Sequence, residues 1–157
     1  MKLAFVTPGN SVHERRIAAK AIERGHEVCV ISTRHTRPAF DVPEVKFLHY
    51  HPGIRRLRTL PIVFHLRRML REFGPDLLLS SMPVSDGFLA ALTGFHPHVT
   101  RPWGTDILHV PYTSRWMRMR TQLTLRKADM VLCLSTEIQD TVHDLLPHSV
   151  SKTRFHD

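Results

Sequence analysis

Residues 2–32, KLAFVTPGNSVHERRIAAKAIERGHEVCVIS, decide the fold. Lys2 to Thr7 is a compact apolar run that stops at Pro8-Gly9-Asn10, the pattern of a buried strand entering a turn. Ser11, with Glu14 three residues on, is a capping-box signature for a helix start. Ile17, Ala18, Ala21 and Ile22 then share one helical face. Gly25 is the expected left-handed stop, and His26-Glu27 lead into Val28 to Ile31, a second strand. Strand, tight turn, helix and strand in this order make a βαβ unit, which implies a parallel sheet with a right-handed crossover.

The alternation continues down the chain. Thr33 to Pro43 carries two prolines and no period, so it reads as a loop, and Val45 to Tyr50 as a third strand. A helix with Leu66, Met69, Leu70 and Phe73 inward stops at Gly74-Pro75. Asp76 opens a fourth strand through Leu79, Ser85 to Leu92 forms a short helix ending at Gly94, and Pro97 to Thr100 is the fifth strand. Ser114 to Lys127 is a helix, and Met130 to Leu134 a sixth strand. Ser135 or Thr136 caps a last helix to Leu146, leaving Val150 to Phe155 as a short tail. The 157 residues therefore predict a single domain. It is an α/β, doubly wound, Rossmann-like parallel sheet of about six strands in the order 3-2-1-4-5-6, with helices on both faces.

Composition narrows the function classes. Hydrophobic residues make up 42% and charged residues 23%, which suits a globular protein. No apolar run comes near the ~20 residues of a membrane span. Thr7-Pro8-Gly9-Asn10 breaks the only run resembling an export signal, so the expected location is the cytoplasm. Cys29 and Cys133 lie in apolar strands and read as small core residues. Seventeen of the 22 basic residues are arginine and the formal charge is +8, pointing to an anionic partner.

In a doubly wound sheet ligands sit outside the carboxyl ends of the strands. The loops there are Pro8 to His13, Ser80 to Gly87 and Arg101 to Asp106. Gly9 precedes a helix N-terminus, where free amides favour an anion. Its loop has one glycine only, so it fails the dinucleotide pattern and no nicotinamide or flavin cofactor is expected. His13 stands in the first helical turn beside the same rim, as a surface residue or a functional one. Trp103 offers an aromatic face, Gly104 a close backbone approach and Asp106 a carboxylate, the parts of a polar small-molecule site. Thr105 or Asp106 equally serves as the cap of a following helical turn. The pairs His49-x-His51 and His96-x-His98 lack a third ligand, and no metal is expected.

Two arginine-rich stretches remain, Gly53 to Arg71 and Ser114 to Lys127, the second including Trp116. Each reads as a solvated helix face. The first, with Leu60, Ile62, Val63 and Phe64 beside its charges, also has the composition of a helix lying on an anionic bilayer.

Several of these segments in this order resemble glycosyltransferase family 4. They are Lys2 to Gly9, the Glu23-Arg24-Gly25-His26-Glu27-Val28 corner, Pro75-Asp76-Leu77, Pro102-Trp103-Gly104-Thr105-Asp106, Arg126-Lys127-Ala128-Asp129 and Leu134-Ser135. The resemblance implies one half of a GT-B architecture, two Rossmann-like domains facing each other across a cleft. It implies a retaining, metal-free transfer of a sugar from a nucleotide-sugar co-substrate to an acceptor held mainly by the amino-terminal domain. Gly9 and Asn10 would then face the donor phosphates. Trp103, Gly104, Thr105 and Asp106 would line the cleft with Ser81 to Gly87 beside them, Asp106 carrying the chemistry. Two departures stand out: Leu79-Ser80-Ser81 occupies the place of a histidine-containing run, and Trp103 the place of a histidine in some relatives.

The carboxyl-terminal domain of the family has no counterpart before Asp157. The expected protein is therefore the acceptor-binding half of a sugar transferase. It would be inactive alone and completed by a carboxyl-terminal-half protein or by self-association through an exposed rim of Trp103, Met82, Pro83 and Val84. A non-catalytic module binding a carbohydrate or lipid-linked acceptor is the alternative. It would sit in the cytoplasm or at the inner face of the membrane. A nucleic-acid partner rests on the charge alone, with no recognition motif behind it.

Overall fold

A computed structural model describes residues 1–9, 11–33, 44–47 and 59–155. The sheet is fully parallel and has seven strands in the order β3-β2-β1-β4-β5-β6-β7. They are β1 (Lys2–Thr7), β2 (Glu27–Ser32), β3 (Glu44–Phe47), β4 (Leu77–Ser81), β5 (His98–Arg101), β6 (Met130–Cys133) and β7 (Thr153–Phe155). The expected order of six strands is extended by one. The tail joins the sheet as β7, with Val131, Leu132 and Cys133 in register with Thr153, Arg154 and Phe155.

The helices are α1 (Val12–Glu23), α2 (Thr59–Phe73), α3 (Asp86–Thr93), α4 (Thr105–Leu108), α5 (Val110–Thr113), α6 (Arg115–Lys127) and α7 (Thr136–Leu145). Ser11 accepts from the Glu14 amide at 3.4 Å, and Gly25 takes φ +79° just past the end of α1. The other half of the expected capping box is absent. Glu14 turns its carboxylate into the molecule instead of back to the Ser11 amide.

Both faces of the sheet carry helix, unequally. On one face α1 packs Ala18 and Ala21 against Leu3, Phe5, Val28 and Val30, with Leu77 and Leu79 at the margin. On the other, α2 and α3 cover Ala4, Val6, Cys29, Ile31 and Leu78. There α4, α6 and α7 bury Val131 and Cys133 beneath Ile107, Leu125 and Val142. This follows from handedness: strands stepping one way from β1 send their crossovers to one face, and strands stepping the other way send theirs to the opposite face. Cys29 and Cys133 are buried in this core. Among the described residues no helix is long and apolar enough to cross a membrane.

β1 pairs with β2 on one side and β4 on the other. The chain leaves β1 toward α1 and leaves β4 toward α3, on opposite faces. The two exits diverge and open a crevice, the usual ligand position in this fold.

Candidate functional site

Glu14 sits at the bottom of that crevice. It is held by the first turn of α1, 5% exposed, and accepts hydrogen bonds from the hydroxyls of Thr7 at the end of β1 and Ser81 at the end of β4. Burial pushes its carboxyl up to about 7, with nearby Asp86 adding to the rise and the Ser81 bond and Arg101 opposing it. Asp86 is itself buried at the start of α3 and accepts from the Thr33 hydroxyl at 2.6 Å.

Above Glu14 lies a cavity of about 70 Å³, lined by Thr7, Glu14, Ser80, Ser81, Arg101 and Trp103 and floored by Phe5, Ile17, Leu79 and Leu132. Arg101, the last residue of β5, lays its guanidinium 4.3 Å from the centre of the Trp103 ring. Its Nε is buried without a hydrogen-bond partner among the described residues. Burial lowers the guanidinium below its ordinary value while Glu14 pulls it back up, and an arginine so placed stays charged. His13 meets Trp103 from α1, ring centres 5.3 Å apart and planes inclined at 48°.

The Trp103–Asp106 segment is built around one carboxylate. Asp106 Oδ1 accepts from the amides of Trp103 at 2.8 Å and Gly104 at 2.9 Å. Gly104 has φ +140° and ψ −92°, a conformation open to glycine and strained for any other residue. The carboxylate thus reaches backward to the loop rather than capping α4. Its Oδ2 is buried and has no partner among the described residues. Burial raises the Asp106 carboxyl, and the amide bonds pull it down.

The remaining expected residues divide. His13, Ser81, Trp103, Gly104 and Asp106 converge on the rim, and Thr105 lies exposed at its outer edge. Gly9 is buried with φ +79° and donates its amide to the Thr7 hydroxyl at 3.2 Å. Asn10 lies outside the described residues, as do His49, His51, and Gly53 to Arg58. Gly87 is a packing glycine: a Cβ there would stand 2.9 Å from Thr124 Cγ2 and 3.1 Å from Thr100 Oγ1. His96 and His98 have separate partners, His96 the Asp129 carboxylate and His98 the Ser80 hydroxyl at 2.8 Å.

One expectation fails. The exposed patch of Trp103 with Met82, Pro83 and Val84 does not form, because Pro83 and Val84 are buried and Trp103 is half-covered by Arg101 and His13. Conversely, nothing in the sequence marks Glu14 or Arg101 as a site residue. Glu14 carried a helix-capping signal that concealed its role, and Arg101 was only the first residue of a rim loop.

With this geometry in hand, the sequence matches the glycosyl transferase 4-like family model over residues 2–135. No curated protein matches it. Among solved structures it is similar to UDP-GlcNAc 2-epimerase from Neisseria meningitidis bound to UDP-GlcNAc, at 16% identity and a TM-score of 0.74, over 99% of this chain and 45% of that one. It is also similar to a lipopolysaccharide outer core galactosyltransferase, at 16% identity and a TM-score of 0.67, over 98% and 44%. Sucrose-phosphate synthase from Thermosynechococcus elongatus gives 14% and 0.68, over 98% and 47%. The chain spans less than half the length of each, and its fold is that of a GT-B-like amino-terminal domain.

Proposed function

The chain belongs to the glycosyl transferase 4-like family, and from that premise we propose its function. It is the acceptor-binding half of a retaining glycosyltransferase, which moves a sugar from a nucleotide-sugar donor to a glycan or lipid-linked acceptor. The observation that carries this reading is the crevice between β1 and β4. It brings a buried carboxyl, an arginine without a hydrogen-bond partner at Nε and a tryptophan to one cavity at the sheet's carboxyl rim. A tryptophan face suits the apolar side of a sugar ring, and the Ser81 hydroxyl, on the same side of the sheet as Glu14, suits its polar edge.

Among the described residues Arg101 is the one guanidinium lining the cavity, and a leaving diphosphate needs several preorganised positive groups. The others come from outside these 157 residues, which alone bind acceptor without turnover. Exposed apolar side chains favour a lipid-linked acceptor and work at the inner face of the membrane. Tyr112, Trp116 and Met119 are each about half exposed beside Arg115 and Arg118, and Leu60 and Phe64 project from α2.

The test is ligand-observed NMR of the isolated chain against a panel of oligosaccharides, lipid-linked saccharides and nucleotide sugars. Saccharide binding that is lost in Trp103→Ala supports the reading. Binding of nucleotide sugars in preference to every saccharide would move the chain to the donor side. Turnover by the pure chain would remove the need for a second half.

A further inference from the structure

Arg101 closes β5 beside Ser81, its partner in register on β4, and lies on the same side of the sheet as Glu14. Its guanidinium stands 4.3 Å from the centre of the Trp103 ring. Stacking of this kind engages the flat face of a guanidinium and leaves the N–H donors around its edge free. Nε is one of those donors, and it is buried without a hydrogen-bond partner among the described residues. A charged donor withdrawn from water is costly to leave unmatched. An acceptor that enters the cavity completes the arrangement.

Among the described residues, the carboxylates of the rim are committed elsewhere. Glu14 gives one oxygen to the Thr7 hydroxyl and the other to Ser81. Burial also pushes its carboxyl up to about 7, so near neutral pH it carries only part of a charge. Asp86 accepts from Thr33 at 2.6 Å. Asp106 turns Oδ1 to the amides of Trp103 and Gly104 and lies outside the cavity lining. Arg101 therefore presents its charge above an apolar floor of Phe5, Ile17, Leu79 and Leu132, where water screens an ion pair weakly. Geometry narrows the anion. Nε and an adjacent Nη make a planar fork that matches the two oxygens of one carboxylate. A cavity of about 70 Å³ has room for roughly two water-sized groups at ~30 Å³ each, which leaves the ring carrying the carboxylate at the rim.

We infer that Arg101 is a specificity residue that selects an acidic sugar: the acceptor presents a hexuronic acid whose carboxylate meets the Arg101 fork inside the cavity. This rests on the saccharide-acceptor reading above, and adds to it the charge of the acceptor and the side chain that reads that charge.

Methyl β-glucuronide and methyl β-glucoside are matched probes, differing only in a carboxylate for a hydroxymethyl. NMR titration of the whole chain should show the glucuronide binding about tenfold tighter or more, with a shift of the Trp103 indole N–H signal. Arg101→Gln should erase that preference. Arg101→Lys keeps the charge and loses the fork, and should retain only part of it. Circular dichroism confirms the fold of each variant, and the comparison of the two sugars on the parent needs no variant. Equal binding of the two sugars by the parent overturns the inference and leaves the saccharide reading standing. So does a preference undiminished in Arg101→Gln. A nucleoside diphosphate or a sugar phosphate that outcompetes the glucuronide, and loses its own binding in Arg101→Gln, also overturns it. Failure to bind either sugar overturns the inference, and failure across every saccharide tried overturns the acceptor reading with it.

Discussion

Ser81 donates its hydroxyl hydrogen bond to Glu14 across 67 positions of sequence, locking the end of β4 to the first turn of α1. The bond spans the point where the two exits from the sheet diverge. It therefore joins the two walls of the candidate site at its base.

The buried carboxyl gives the protein a specific pH response. Below pH 4.5 Glu14 is protonated in both folded and unfolded chains; between 4.5 and about 7 only the folded chain keeps the proton. Its contribution to stability therefore falls as pH rises through that window, by on the order of 3 kcal/mol in all. Glu14→Gln keeps an acceptor for one of the two hydroxyls, presents an amide donor to the other and removes the titration. Urea unfolding from pH 5 to 8 should show a flatter profile for the variant, and a variant less stable than the parent at pH 8 would refute the assignment.

His98 should behave in the opposite sense. Burial lowers its ring from 6.5 to about 4, outweighing the pull of Asp129. The folded chain holds it neutral, so its contribution is whole above pH 6.5 and is lost as pH falls toward 4. Two-dimensional NMR of the imidazoles at pH 5.5 should find His98 neutral. A charged His98 at that pH would contradict the buried contact with Ser80.

Asp106 separates scaffold from chemistry through two substitutions. Asp106→Ala leaves the Trp103 and Gly104 amides without their acceptor and should cost about 1–3 kcal/mol in denaturant unfolding. Asp106→Asn keeps the acceptor and should recover most of that loss. If Asp106→Asn also restores full saccharide binding, the carboxylate serves the loop alone.

Gly87→Ala tests a packing contact. Thr124 cannot swing away, because its hydroxyl is held by the carbonyls of Pro83 and Arg120. The added methyl should cost about 1–3 kcal/mol. A neutral substitution in equilibrium unfolding would mean that α6 moves freely against α3.

The lipid-linked reading makes its own prediction. Trp116→Glu, at a residue 55% exposed, should leave stability within about 0.5 kcal/mol and sharply reduce co-sedimentation with vesicles containing anionic lipid. Unchanged sedimentation would favour a soluble glycan.

The sequence was legible where structure is local or strictly periodic. The apolar runs of β1, β2 and β6 and the stops at Gly25, Gly74 and Gly94 all appear as read, since each depends on residues within a turn of one another. β7 escaped because three residues, Thr153 to Phe155, carry too little period to announce a strand; only the register of β6 recruits them. The site was less legible. Glu14 sits at capping-box spacing, and nothing nearby reveals that its partner is Ser81. The covering of Trp103 depends on Arg101 and His13 arriving from different elements.

The strand order also sets a sequence of events in synthesis. β1 is made first yet lies in the interior of the sheet, so it waits for Leu77 to Ser81 to be translated before its second edge is filled. Until then Glu14 is a solvated side chain that has given up its proton at neutral pH. When β4 docks and Ser81 closes on it, the carboxyl is withdrawn from water and takes a proton back. Assembly of the crevice is thus a proton-consuming event. Burial of His98 releases a proton at pH 6, so a pH-indicator dye in weakly buffered refolding at that pH should show the balance shifted toward release in Glu14→Gln relative to the parent.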